Sequence, residues 1–180
     1  MSKKVLIISA SPRMNSNSEA LARSFADGAR ESGNEVELVS LRGKTVNFCR
    51  GCFVCQEKLR CVIRDDADEI CQKALGADVL VFATPIYYYE MSGQLKTLLD
   101  RLNPLFPSEY AFTDVYVLTS AAEDEDFVPE RAVRGVEGWV ECFERAHLAG
   151  TVFMGGVTGA GEMKDHPEKL REAYVLGSRV

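Results

Sequence analysis

Four of the six cysteines of this 180-residue chain fall in one short stretch, CRGCFVCQEKLRC, from Cys49 to Cys61. The spacing is C-x2-C-x2-C-x5-C, and thiolates so placed can carry several chemistries. Cys49, Cys52 and Cys55 can surround one cube-like iron–sulfur cluster, with Cys61 completing the set after a short loop. Gly51 lets the backbone between them fold tightly. The familiar bacterial ferredoxin run ends in C-x3-C-P, whereas here five residues separate the last two thiols and Val62 follows. Zinc is a second use, although all-cysteine zinc sites usually come as two C-x2-C pairs split by a longer spacer. A reversible dithiol is a third, since C-x-x-C in an α/β protein can be a redox pair; no thioredoxin-like context surrounds this one. A loop of idle, partly buried thiols is the fourth. Cys71 and Cys142 fall in helical patterns and read as ordinary buried thiols.

A second set of chemical groups lies in SASPRMNSNS, Ser9 to Ser18. The stretch follows a strand-like run and leads into a helix, whose first turn offers free N–H groups and a partial positive charge. Arg13 adds a full charge, and Ser9, Ser11, Asn15, Asn17 and Ser18 add hydroxyls and amides. That combination suits a phosphate monoester. Neither G-x-x-x-x-G-K-[ST] nor G-x-G-x-x-G is present, so it is neither an NTP loop nor a dinucleotide fingerprint. Plain helix capping by Asn17 or Ser18 is the simpler alternative. A third set is TPIYYYEMSGQLK, Thr84 to Lys96. Pro85 ends the preceding strand in this reading, and Tyr87, Tyr88 and Tyr89 follow on a loop. A tyrosine has a flat apolar face and a polar tip, which suits the edge of an aromatic ligand or a subunit interface. Thr119 and Ser120, in TSAAEDED, can border a ring, and the acidic run after them reads as a solvated rim.

The elements that must hold these groups alternate. KVLIIS, EVELVSL, DVLVFATP, DVYVLTS and GTVFMGGV read as strands, the first nearly all apolar, as a strand buried on both faces must be. EVELVSL alternates and reads as an edge. Helical patterns follow each: residues 18–33, 65–77 with an acidic first turn, 92–102, 129–147, and 166–180. Alternating strands and helices predict a parallel sheet covered on both faces. The three loops then meet at the carboxyl edge of the sheet, where open α/β sheets bind ligands. His147 is expected near a helix C-terminus and His166 at a helix start, neither with a catalytic role; Trp139 reads as core or interface.

Composition narrows the classes. The chain is 46% hydrophobic and 27% charged, which suits one globular domain spanning 1–180, with a cysteine-rich insertion at about 47–64. A net charge of −6 argues against a nucleic-acid partner, which needs a basic face. No apolar run approaches the ~18–20 residues of a membrane span, and MSKKVLII lacks the pattern of a signal peptide. A cytoplasmic location is expected, where six cysteines favour metal, redox or buried-thiol roles over structural disulfides.

Motif by motif, SASPRMNSNSEALA resembles the S-P-R-x-x-x-N-[ST] phosphate loop of the NADPH-dependent FMN reductase family. TPIYYYEMSGQLKTLLDR resembles that family's P-x-Y…x-x-L-K-x-x-[IL]-D-R segment. CRGCFVCQEKLRC resembles the compact cysteine motif of the iron–sulfur flavoproteins in the same superfamily. The resemblance implies a flavodoxin-like fold with strand order 2-1-3-4-5. It implies FMN with its phosphate near Ser9, Ser11, Arg13, Asn17 and Ser18, and its ring beside Pro85, Ile86, Tyr87, Tyr88, Tyr89, Ser120 and Ala121. No side chain need act as acid or base, because the flavin carries the chemistry. NAD(P)H would be the co-substrate, and a quinone, free flavin or other acceptor would take the electrons. The alternative is an electron carrier with FMN and a [4Fe–4S] cluster at Cys49, Cys52, Cys55 and Cys61, trading electrons with a ferredoxin; a third is a flavin-binding protein without catalysis. A homodimer or homotetramer is implied, with the helix carrying Asp100 and Arg101 in the interface.

Overall fold

The computed structural model describes residues 2–180. In chain order the elements are β1 (Lys4–Ser9), α1 (Asn17–Glu31), β2 (Glu35–Ser40), α2 (Val54–Lys58), α3 (Asp66–Leu75), β3 (Val79–Tyr87) and β4 (Glu90–Met91). Then come α4 (Gly93–Arg101), β5 (Asp114–Ser120), α5 (Glu130–Val140), β6 (His147–Met154) and α6 (Pro167–Gly177). Short 3-10 turns follow α4 and precede α6. Five strands pair in parallel in the order β2-β1-β3-β5-β6. With the two-residue β4 set aside, this is the flavodoxin-like order the sequence implies.

The strands are nearly continuous apolar runs because both faces are covered. Along β1, Val5 and Ile7 join one core with Leu21, Phe25 and Ala29 of α1 and Ala173 of α6. Leu6 and Ile8 join the opposite core with Ile70 of α3, Leu95 and Leu98 of α4, and Val136 of α5. This is the period-two alternation of a strand read on both sides. The leucines of α4 pack into this internal core, and Arg101 is buried beside it. No helix among the described residues is long and apolar enough to cross a membrane.

Three details depart from the sequence reading. Pro85 does not end β3, which runs on to Tyr87 and pairs Pro85 with Ser120 of β5. Ala83 turns its carbonyl to Ala10 on the β1 side. Pro85, two residues on, faces the same side, where β1 has already stopped, so its missing N–H costs no ladder bond. The helix expected over 129–147 stops at Val140, and His147 opens β6 instead of closing a helix. Cys142 therefore lies beyond the helix and is exposed, not buried. Finally, Ser16 rather than Asn17 or Ser18 caps α1, its side chain accepting from the Glu19 N–H.

Candidate functional site

The loops with chemical groups meet at the carboxyl edge of the sheet, and hydrogen bonds fasten them there. Ala10, after β1, donates its N–H to Ala83 at 2.8 Å. Ser92, the cap of α4, donates its hydroxyl to Ala10 O at 3.4 Å and its N–H to Thr84 Oγ1 at 3.0 Å. The serine-rich loop and the tyrosine segment thus share one end of the molecule. The loop after β5 joins them through the chain after β6: Ala121 donates to Met154 O and Val157 to Ala121 O, both at 2.9 Å.

A cleft of ≈ 190 Å³ opens between these loops. Of the residues singled out in the sequence, Ser11, Arg13, Asn17, Ser18, Pro85, Ile86, Tyr87, Ser120 and Ala121 line it. Ser9 lies fully buried at the end of β1. One side of the cleft is polar and electron-poor. The Ser16 cap occupies the Glu19 N–H, which leaves the N–H groups of Asn17 and Ser18 without an intrahelical acceptor. The hydroxyls of Ser9 and Ser18 are buried and have no hydrogen-bond partner. A buried polar atom left unpaired costs about 1–3 kcal/mol, so the Ser18 hydroxyl, lining the cleft beside free helix N–H groups, suits an anionic ligand. Arg13 reaches over the cleft and donates from Nη1 to Thr158 O at 2.8 Å. The Asn17 amide is already engaged: it donates to Gly159 O at 2.9 Å and accepts from Met163 N at 3.2 Å.

Those contacts identify a wall that the sequence reading missed. Val157, Thr158, Gly159 and Ala160 line the same cleft. The available signal was the glycine-rich run GGVTGAG after the last strand, at the same sheet edge. Gly155 matters here for a different reason: a Cβ at that position would stand 2.4 Å from Asp124 Cα. The acidic run therefore packs its backbone onto the end of β6, while its side chains stay exposed.

The tyrosines form a hairpin turn, not an open loop. Tyr87 closes β3, and Tyr88 and Tyr89 are the two residues connecting it to β4. Both are left-handed, with φ of 51° and 66°, in a connection that usually takes Asn-Gly. Tyr88 is 98% exposed, so no packing offsets its strained backbone. Tyr89 is held, donating its hydroxyl to Glu123 Oε2 at 2.7 Å, with its ring 6.0 Å from that of Phe127. Tyr88 and Tyr89 line an adjoining cleft of ≈ 200 Å³ that shares Ile86, Ala121 and Ala122 with the first.

The cysteine segment builds a second site. Its two ends are drawn together by Arg101, whose Nη1 donates to Asn47 O at 2.8 Å and whose Nη2 donates to Ile63 O at 3.0 Å. The same two nitrogens grip both carboxylate oxygens of Asp65, at 2.8 and 2.9 Å. Asp65 in turn accepts from the backbone and side-chain N–H of Asn47. Burial pushes the Asp65 carboxyl up, but the bonds from Arg101 and Asn47 outweigh it and hold its pKa at about 2. Between these ends, Cys49, Cys52, Cys55 and Cys61 line one cavity of ≈ 440 Å³, with Cys142 and an aromatic wall that includes Phe53, Trp139 and Phe143. The Cys55 sulfur accepts from Asn103 Nδ2 at 3.1 Å. Cys71 is buried, and burial followed by the charges of Asp68, Cys61 and Cys55 pushes its thiol up to about 12. All six thiols are free. Among the described residues no three Cys, His, Asp or Glu side chains are gathered closely enough to hold a metal ion.

Comparison with known proteins places these two sites in context. Residues 3–154 match the family model of the NADPH-dependent FMN reductases. An iron–sulfur flavoprotein of Archaeoglobus fulgidus is 37% identical over 186 aligned residues, covering 98% of this chain and 78% of that one. An iron–sulfur flavoprotein of Methanocaldococcus jannaschii is 43% identical over 102 residues, 57% of this chain and 53% of that one; that alignment spans about half the relative's length. Among solved structures, an NAD(P)H:quinone oxidoreductase from Methanothermobacter marburgensis superposes with a TM-score of 0.74 at 19% identity, covering 99% of this chain and 97% of that one.

Proposed function

The chain belongs to the NADPH-dependent FMN reductase family, and from that premise we propose that it is an FMN-dependent oxidoreductase fed by NAD(P)H, with the whole chain as one flavin-binding domain. The carrying observation is the partnerless buried hydroxyl of Ser18, which lines the cleft at the free N–H groups of α1, with Ser9 likewise partnerless at the end of β1. They fit a phosphate, and Ser11 and Arg13 stand on the same wall. Pro85, Ile86, Tyr87, Ser120 and Ala121 line the same cleft, and a flat ring would lie against them. The adjoining cleft beside Tyr88 and Tyr89 is where a nicotinamide or an aromatic acceptor would approach. When bound, FMN supplies the chemistry, accepting a hydride from NAD(P)H and passing electrons to a quinone, free flavin or other acceptor. The residues bind and orient: Arg13 and the α1 N-terminus neutralise the phosphate, and the hairpin keeps water from one side of the ring. The test is flavin titration followed by anaerobic NADPH oxidation. Tight FMN binding with turnover supports the reading; refusal of FMN ends it.

A second reading is favoured by one observation: the four spaced cysteines share a single cavity. The donor set is chemically right for a [4Fe–4S] cluster at Cys49, Cys52, Cys55 and Cys61, and two similar proteins bear the name iron–sulfur flavoprotein. Such a chain would exchange electrons with a ferredoxin-like partner. Iron and sulfide analysis after anaerobic reconstitution separates the two readings. We further propose a cytoplasmic homo-oligomer, which sedimentation of the flavin-loaded protein tests.

A further inference from the structure

Arg101 is more fully enclosed than any other charged side chain described here with an ion-pair partner, with 0% of its side chain exposed. Its guanidinium carries five N–H donors. Four contacts, from Nη1 and Nη2, go to Asn47 O, Ile63 O and the two oxygens of Asp65. The remaining donor, Nε–H, is buried and meets no acceptor. A guanidinium whose other nitrogens are all bonded at 2.8–3.0 Å cannot swing to satisfy Nε without breaking the rest. Arg101 is also among the residues lining the cavity that Cys49, Cys52, Cys55 and Cys61 share, and of these thiols Cys61 lies near enough to act on the charge of its guanidinium.

We infer that Arg101 is a positioning residue for an anionic sulfur centre in that cavity: its clamp sets the two ends of the cysteine segment, and its Nε–H is kept for a sulfur acceptor. The inference rests on the cluster reading given above and goes beyond it by assigning a residue outside the cysteine motif. An unused buried donor on a charged group is costly, whereas a cluster with thiolate ligands presents acceptors of the opposite charge to the same wall. Hydrogen bonds to sulfur stabilise the more negative, reduced cluster and raise its potential. Lysine keeps the charge but can neither span Asn47, Ile63 and Asp65 nor present a fixed Nε–H.

The test uses the full chain, reconstituted anaerobically with ferrous iron and sulfide and loaded with FMN. In Arg101→Lys the cluster's midpoint should fall by at least a tenfold shift in the reduction equilibrium, ~59 mV for one electron, while the FMN midpoint stays put. An unchanged cluster midpoint overturns the inference and leaves the cluster reading standing. If Arg101→Lys does not fold or load, the wild-type chain decides. With 15N-labelled arginine, one Nε–H, assigned to Arg101 by its contacts to neighbouring protons, should become more protected from exchange on reconstitution. No newly protected Nε–H overturns the inference. A wild-type chain that binds no iron overturns both it and the cluster reading.

Discussion

At the carboxyl edge of the sheet, four loops are bound to one another by many small ties: Ala10 to Ala83, Ser92 to Ala10 and Thr84, Ala121 to Met154, Val157 to Ala121. The segment from 47 to 64 has a different economy. Its ends are held by side chains: Arg101 grips both, Asn47 donates to Asp65, and Arg60 and Arg64 donate to Asp68, while Asn103 touches it at Cys55 and Phe48, Phe53, Leu59 and Val62 stand exposed along it. The short α2 within it is flanked by Phe53 and Leu59, both left-handed. The sheet edge is held together by its own bonds, with the hydroxyls of Ser9 and Ser18 unspent. The cysteine segment brings its thiols to one cavity but does not close them on each other. The difference teaches that distributed main-chain bonding preorganises a site, while a few charged side chains at its ends, Arg101 foremost, position one without completing it.

The sharpest way to break that contrast is at the hinge. Asp65→Ala leaves Arg101 buried without its counter-ion, and such a loss costs about 3–5 kcal/mol. Urea unfolding should show a drop of that size, and a drop under ~1 kcal/mol would mean the segment does not depend on this pair. The same pair predicts a pH dependence. The folded Asp65 pKa, about 2, lies below its ordinary value of 3.8. The unfolded chain therefore takes up the proton first as pH falls. The contribution is whole above about pH 4 and is lost as pH drops through the folded value of about 2; Asp65→Asn should flatten that stretch of the stability profile.

At the sheet edge single changes should cost less. Arg13→Ala should weaken FMN binding by ~1.5–3 kcal/mol, read by quenching of flavin fluorescence, because one charged hydrogen bond to phosphate is lost. Unchanged affinity would remove Arg13 from the cradle. Ser92→Ala should cost about 1–2 kcal/mol of stability, since it uncaps α4 and unties Ala10 from the α4 start. The smallest effect belongs to Tyr88→Gly, which relieves a left-handed tyrosine and should stabilise the flavin-free chain by about 0.5–1 kcal/mol. It should also weaken turnover with aromatic acceptors, and a variant that gains stability with full turnover would show the ring to be idle.

Much of the frame was legible because burial on both faces leaves a plain mark. Runs such as Val79–Phe82 can only be central strands in an alternating chain, whereas the strand order came with the family resemblance and not with the runs. The first and second loops were legible for the same reason, since they follow such runs. The misses have physical causes. Val136, Val140 and Phe143 keep helical spacing, so the stripe runs past the point where α5 ends, and this hid both the exposure of Cys142 and the start of β6 at His147. The hairpin at Tyr88–Tyr89 was hidden because its residues lack the usual turn chemistry. Arg101 was invisible as a hinge because its partners, Asn47, Ile63 and Asp65, lie far off in sequence and carry no motif.

One helix touches both halves of this comparison. Ser92, which fastens the carboxyl edge of the sheet, caps the start of α4, and Arg101, which gathers the cysteine segment, is its last residue. Nine residues of α-helix measure ~14 Å, and a helix does not stretch. The chain thus carries a ruler: the spacing between its two candidate sites is written in covalent length, indifferent to whatever either holds. Inserting one turn into α4 would move them apart by about 5.4 Å and recalibrate any traffic of electrons between them.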